Sequence, residues 1–340
     1  MKTLRYEHCA KKLPRVKKTL KEDYGSPCRG IVTGLNEAFV IDTGVKNRLC
    51  AEDPKSFELL RPFLEGKDIK RWRTESRGLW LIYIPKNKVD IDQYPAIKSW
   101  LLPFKEKLEK RATKQEWFEL QQAQEGFVEV FVRSKIIYPD LSQGAKFSID
   151  ESCTFVPNTG YLLDCSNFTA LANLNAKLTW FYLRGVSSAM RGGEWRIRMF
   201  SQYIETIPIP DASDQQKAQL ATLAKDCQTA AEQRLELQRN LSRRIPDLCP
   251  PEREAKLSNK LKNWWEFKTF ADFKTEIKKQ FKTDIPLAER NEWEDWIAKD
   301  REAINLLSAE IKSNEDKINE LVYQLFDLTP EEIKLLETNI

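Results

Sequence analysis

The chain has 340 residues, 41% of them hydrophobic and 31% charged, with a mean hydropathy of −0.55, a composition expected of a soluble globular protein of one large or two ordinary domains. No stretch approaches the roughly 18 apolar residues of a spanning helix, and the basic start lacks the apolar core of a secretory signal, so a cytoplasmic location is expected. A single histidine, His8, and seven scattered cysteines without a CxxC argue against Ser-His or Cys-His nucleophile pairs, a disulfide framework and a zinc ribbon.

The net charge of +4 hides a split. From Arg290 to Ile340 there are 6 Lys/Arg against 13 Asp/Glu, a balance of −7, which leaves the first 289 residues at 49 against 38, or +11. A polyanion would bind the basic part. Glycine is divided just as unevenly: all 12 lie between Gly25 and Gly193. Long helices with few tight turns are therefore expected in the remainder.

In chain order, residues 1–26 are polar and Lys-rich and read as a basic N-terminal arm, solvated and poorly ordered. Short apolar runs bounded by Gly, Pro and Asp follow at 30–42, 78–85, 127–132, 135–140 and 146–150, the pattern of strands. Helical stretches fall at Tyr94–Lys114, where Pro103 should bend or restart the helix, and at Phe168–Gly185. This alternation predicts a mixed α/β domain over 27–210, within an α+β chain.

The segment 205–213 (ETIPIPDAS) reads as the exit from that domain, with Ser213 capping a helix and Gln216 three residues on. In that helix Leu220, Leu223, Cys227, Ala230, Leu237 and Leu241 follow a seven-residue repeat with only Arg234 out of type. After a Trp-rich middle at 263–273, Pro286 opens a second helix. There Trp293, Ile297, Ile304, Leu307, Ile311, Ile318, Leu321 and Leu325 keep heptad spacing, interrupted by Asp300 and Asn314. Helices of about 34 and 40 residues would reach roughly 50 and 60 Å. They predict a long antiparallel, coiled-coil-like hairpin over 211–340, in which Asn314 either pins the register or sits on an exposed stretch.

Catalytic motifs are missing. There is no GxGxxG or GxxxxGK[ST], and no Asn/Asp-Pro-Pro-aromatic tetrapeptide of an adenine methyltransferase. Pro139-Asp140 with Glu254-Ala255-Lys256 or Glu276-Ile277-Lys278 is the nearest approach to a metal-dependent nuclease centre, in a chain where such triplets arise by chance. Two basic, turn-rich clusters are more informative: Arg61–Arg77, with six Lys/Arg around Gly66 and Trp72, and Arg184–Arg198, with four arginines, paired serines and Gly-Gly. Arginine forks and hydroxyls suit phosphate or guanine edges. A solvated loop with salt bridges to Glu65, Asp68 and Glu194 accounts for the same spacing.

The segments GIVTGLNEAFVID, LLRPFLEGKDIKRW, GLWLIYIP, SKIIYPDLS, FVPNTGYLL, LANLNAKLTWFYL, SSAMRGGEWRIRMFSQYIETIPIP and INELVYQLFDLTPEEIKLLE together resemble the TaqI-like C-terminal specificity domain of adenine-specific DNA methyltransferases and type IIG restriction-modification enzymes. The resemblance covers about 27–340. It implies that this part grips duplex DNA and reads bases, while a catalytic domain flips the adenine. By position it places Lys67, Lys70, Arg71 and Arg73 on DNA, and with them Arg184, Ser187, Ser188, Arg191, Gly192, Gly193, Arg196 and Arg198. The acidic hairpin resembles a spacer that contacts a partner. No cofactor is expected in this chain; S-adenosylmethionine and Mg²⁺ would belong to a missing or partner methyltransferase or endonuclease domain. Two alternatives are an enzyme with an unrecognised nuclease or methyltransferase centre and a coiled-coil adaptor.

Overall fold

The computed structural model describes residues 18–190 and 196–339, so the expectation for His8 lies outside the described residues. By internal packing the chain divides into two units, Met1–Ala224 with Ile318–Ile340, and Lys225–Lys317. The boundary expected at 210 follows the change of element type, whereas packing divides both long helices between the units. Among the described residues no helix is long and apolar enough to cross a membrane.

The first unit holds the strands. β1 (Lys18–Thr19), β2 (Cys28–Arg29), β3 (Val40–Asp42) and β4 (Leu60–Phe63) precede a hairpin of β5 (Ile69–Lys70) and β6 (Arg73–Thr74). β7 (Leu79–Ile82), β8 (Lys135–Pro139), β9 (Leu141–Ser142), β10 (Ser148–Asp150) and β11 (Gly160–Leu163) come next. They are followed by β12 (Ala189–Met190), β13 (Arg196–Arg198) and β14 (Pro208–Ile209). The larger sheets run β10-β8-β11-β2, β12-β13-β9 and β3-β7-β4, and the ladders are antiparallel. One apolar cluster, including Phe63, Ile82, Phe131, Phe155 and Leu162, draws on the first and third of these sheets. Short strands among helices make the chain α+β, as its sequence predicts.

β8 is buried along its whole length, and its first residue is a lysine. Lys135 Nζ donates to Asp150 Oδ2 on β10 at 2.7 Å and to the carbonyls of Phe131 and Arg133 at 2.8 and 3.2 Å. The carboxylate also accepts from the backbone of Ser152 and Thr154 at 3.1 and 3.0 Å and from the Thr154 hydroxyl. All three ammonium protons are thus placed, which makes so buried a pair tolerable.

Several expectations are corrected. The arm predicted over 1–26 is folded from Lys18: β1 pairs with β14, and Leu20, the apolar residue of an otherwise polar stretch, is fully buried with its N–H donated to Ile207 at 2.8 Å. The strand predicted at 127–132 is helical, with turns at Glu125–Phe127 and Val128–Phe131. Its apolar residues are adjacent rather than alternating, so a helical turn buries Val130 and Phe131, the latter stacked on Phe155 at 4.6 Å. In 30–42 the run splits into bridges at Ile31 and Val32, a turn of helix at Asn36–Phe39, and β3. The helix predicted at 168–185 breaks at Ala176, whose backbone is extended. There the Asn175 side chain is taken by the backbone N–H and C=O of Phe147. Pro103 does interrupt its helix, which passes through a 3-10 turn between Pro95–Leu101 and Lys105–Glu109.

Ser213 and Gln216 form the reciprocal cap of the helix Asp214–Arg244. In the second unit this helix runs antiparallel to Arg290–Leu325. Cys227 Sγ reaches the Ile311 carbonyl at 3.8 Å, Arg234 donates to Ser308 Oγ at 3.0 Å, and Leu241 and Ile245 share a core with Trp293, Ile297 and Ile304. Arg234, the residue out of type, is thereby explained. Asn314 is only 7% exposed, which removes the exposed-stretch alternative. The Trp-rich segment folds between the helices, with Trp264 fully buried and its indole N–H donated to the Gln238 carbonyl at 3.0 Å.

A Lys135→Met variant leaves the Asp150 carboxylate buried without its counter-charge and is expected to cost about 3–5 kcal/mol. Urea unfolding followed by tryptophan fluorescence measures this as a lowered first midpoint, and an unchanged midpoint contradicts the role given to the pair.

Candidate nucleic-acid interface

In the β5–β6 hairpin Lys70 pairs with Arg73, leaving Arg71 and Trp72 as a two-residue turn. Trp72 has φ +67°, a backbone region that ordinarily favours glycine or asparagine. The surroundings compensate: the residue is 2% exposed, the Arg71 guanidinium lies over the ring at 5.6 Å, and the Trp72 backbone N–H is donated to the Phe147 carbonyl at 3.0 Å. That last bond ties the first basic cluster to the segment leading into β10.

The second cluster reaches the same segment from the other end. β13 pairs with β9, Ile197 opposite Ser142 and Arg198 opposite Leu141, which brings Arg196 to the turn after β9. Arg198 donates to Asp140 Oδ2 at 2.9 Å and lies over the Phe200 ring at 5.6 Å. Burial raises the Asp140 carboxyl above its usual range, opposed by the charges of Arg198 and Arg29.

Between the clusters lies a cleft of about 430 Å³ whose lining includes Glu65, Gly66, Lys67, Lys70, Lys146, Arg196 and residues 139–143 and 157–159. Gly66 is required by close approach, because a Cβ there would meet the Thr159 carbonyl oxygen at 2.8 Å. Of the sequence-predicted contacts, Lys67, Lys70 and Arg196 meet in this cleft. Burial, and after it the charges of Lys70 and Arg196, push the Lys146 ammonium below its ordinary pKa. Lys146 was not singled out in the sequence; its one signal is a lysine opening an apolar run, KFSID, that is otherwise inward-facing.

The salt-bridged alternative also has a share. Lys67 and Arg77 both hold Glu65, at 2.8 and 2.5 Å, and depress its carboxyl, Lys67 foremost. Arg77 also binds Asp68 at 2.6 Å. Lys70 lies 3.7 Å from Glu75, which also holds Arg73. Arg71 rests on Trp72 as described. Other candidates lie apart from the cleft lining: Arg184 donates to the Asn339 carbonyl, Ser188 Oγ bonds to Tyr203 Oη at 2.8 Å, and Ser187 ends the helix Lys177–Val186. Arg191, Gly192 and Gly193, with Glu194, lie outside the described residues.

Among the described residues no three His, Cys, Asp or Glu side chains gather as a metal site. Asp140 is engaged by Arg198, while Glu254 and Glu276 belong to the other unit, where Glu276 accepts from Ser258 at 2.7 Å. What the cleft offers chemically is a preformed cationic surface for an anion.

Comparison with known proteins gives matches over both parts of the chain. Residues 61–209 match the TaqI-like C-terminal specificity domain, and residues 213–322 match a Domain of unknown function (DUF8810). No curated protein matches. Among solved structures, the type IIL restriction-modification enzyme MmeI in complex with DNA is similar with a TM-score of 0.54 at 12% identity, over 94% of this chain and 35% of that one. The type IIG restriction endonuclease BpuSI gives a TM-score of 0.42 at 14% identity, over 96% and 34%. The chain thus spans about a third of the length of either. The match to the TaqI-like C-terminal specificity domain, over residues 61–209, takes in the hairpin, Lys146 and Arg196.

Proposed function

We propose that this chain is the DNA target-recognition part of a restriction-modification system, binding duplex DNA and directing an adenine-specific methyltransferase, or an endonuclease, to its site. The observation that carries this is the convergence of Lys67, Lys70, Lys146 and Arg196 on one cleft inside the segment that matches a specificity domain. In a cytoplasmic setting the catalytic step falls to a partner domain or subunit. S-adenosylmethionine and Mg²⁺ belong to that partner in this reading. The two long helices, of which the second is acidic, serve as the spacer toward the partner.

Cations that replace counterions on DNA leave a salt signature: log affinity is expected to fall linearly with log salt, by about 0.9 per phosphate neutralised. Fluorescence anisotropy with a labelled duplex pool measures the slope, and absence of binding even at low salt contradicts the proposal.

Arg196→Ala and Lys70→Ala separate two kinds of contact. A side chain that reads guanine is expected to cost about 1–3 kcal/mol at one base position when removed, whereas a phosphate contact weakens all sequences alike. Competition binding over a randomised duplex library distinguishes the two, and parental affinity in both variants removes these residues from the interface.

A further inference from the structure

Lys146 stands apart from the other cations of the cleft. In the run Ala145–Asp150 its neighbours Ala145, Phe147, Ser148, Ile149 and Asp150 are all buried, and it is the half-buried residue among them. The backbone beside it is fixed. The Phe147 N–H and carbonyl are both held by the Asn175 side chain, the same carbonyl takes the Trp72 N–H, and the Phe147 ring packs on Tyr138 at 5.1 Å. Lys67 and Lys70 are matched by Glu65 and Glu75. Among the described residues Lys146 makes no ion pair, and the charges acting on it are those of Lys70 and Arg196.

Across the cleft the charges of Lys70 and Arg196 act unfavourably on the Lys146 ammonium in the free protein. An anion between them turns that repulsion into attraction, and the anchoring of Phe147 means that little backbone ordering is left to accomplish on binding. We propose that Lys146, Lys70 and Arg196 together clamp a single phosphodiester of the DNA backbone, with Lys146 as the fixed member of the clamp. Asp140 at the cleft edge does not oppose the anion, because Arg198 neutralises it at 2.9 Å. This inference rests on the proposed DNA binding and adds to it the register that a phosphate contact imposes on the reading side chains.

The test uses the full chain with Lys146→Met and Lys146→Arg. Lys146→Met is expected to weaken every duplex sequence by the same factor, and removal of all three cations together to lower the slope of log affinity against log salt by about 0.9, the share of one phosphate. Lys146→Arg keeps the parental affinity. Thermal unfolding of both variants within a degree or two of the parent excludes a general loss of structure. A Lys146→Met chain that keeps the parental affinity overturns the clamp alone, as does a loss confined to one base position, which marks a base contact instead. A parent chain that binds no duplex at any salt overturns the proposed function and the clamp with it.

Discussion

The buried pair of Lys135 and Asp150 sets the frame on which the cationic cleft is built. It locks the start of β8 to the end of β10 in register, Asp150 opposite Lys135, and slipping by one residue would leave both charges without their partners. Each ion costs several kcal/mol to desolvate, so the pair holds only in this arrangement, with its hydrogen bonds complete. From that fixed point β8 runs to Pro139, with Asp140 next in the chain, and β10 runs back to Ser148, two residues after Lys146. The two flanks of the cleft therefore emerge from one strand pair, and the second ion pair, Asp140 with Arg198, carries β13 and Arg196 to the same place.

Much of this was legible in the sequence. The strands at 79–82, 135–139 and 148–150, the Pro103 interruption, the Ser213 cap and the two long helices rest on local signals that the packing does not override. The segment 127–132 misled because β-branched and aromatic residues favour strands only where a pleated face awaits them, and here the single stacking partner, Phe155, is met equally well by one helical turn. Leu20 was hidden for the opposite reason. One apolar residue among lysines and acids carries no period, and its burial depends on the offer of β14 nearly 190 residues away.

For the candidate site the sequence was informative about composition and silent about convergence. Six basic residues around Gly66 and Trp72 could be seen, but the device joining them to Arg196, the backbone N–H of Trp72 given to the Phe147 carbonyl, is a tertiary contact without a motif. Lys146 illustrates the limit most clearly. A lysine in an inward-facing run reads as a strand boundary, and its electrostatic position exists only after Lys70 and Arg196 have been brought to it from either side.

The ion pairs of the cleft follow from the same geometry. Exposed pairs such as Lys67 with Glu65 contribute only about 0–1 kcal/mol, so exchanging a carboxylate for a phosphate costs little, while the pairing keeps long side chains from exploring many rotamers beforehand. The acids are therefore compatible with anion binding: they order the cations they neutralise. They also leave the net attraction to the +11 of the first 289 residues, which acts at a distance and weakens with salt. A surface arranged in this way holds a polyanion loosely wherever it lands and tightly only where a phosphate reaches Lys146, which among the described residues makes no ion pair.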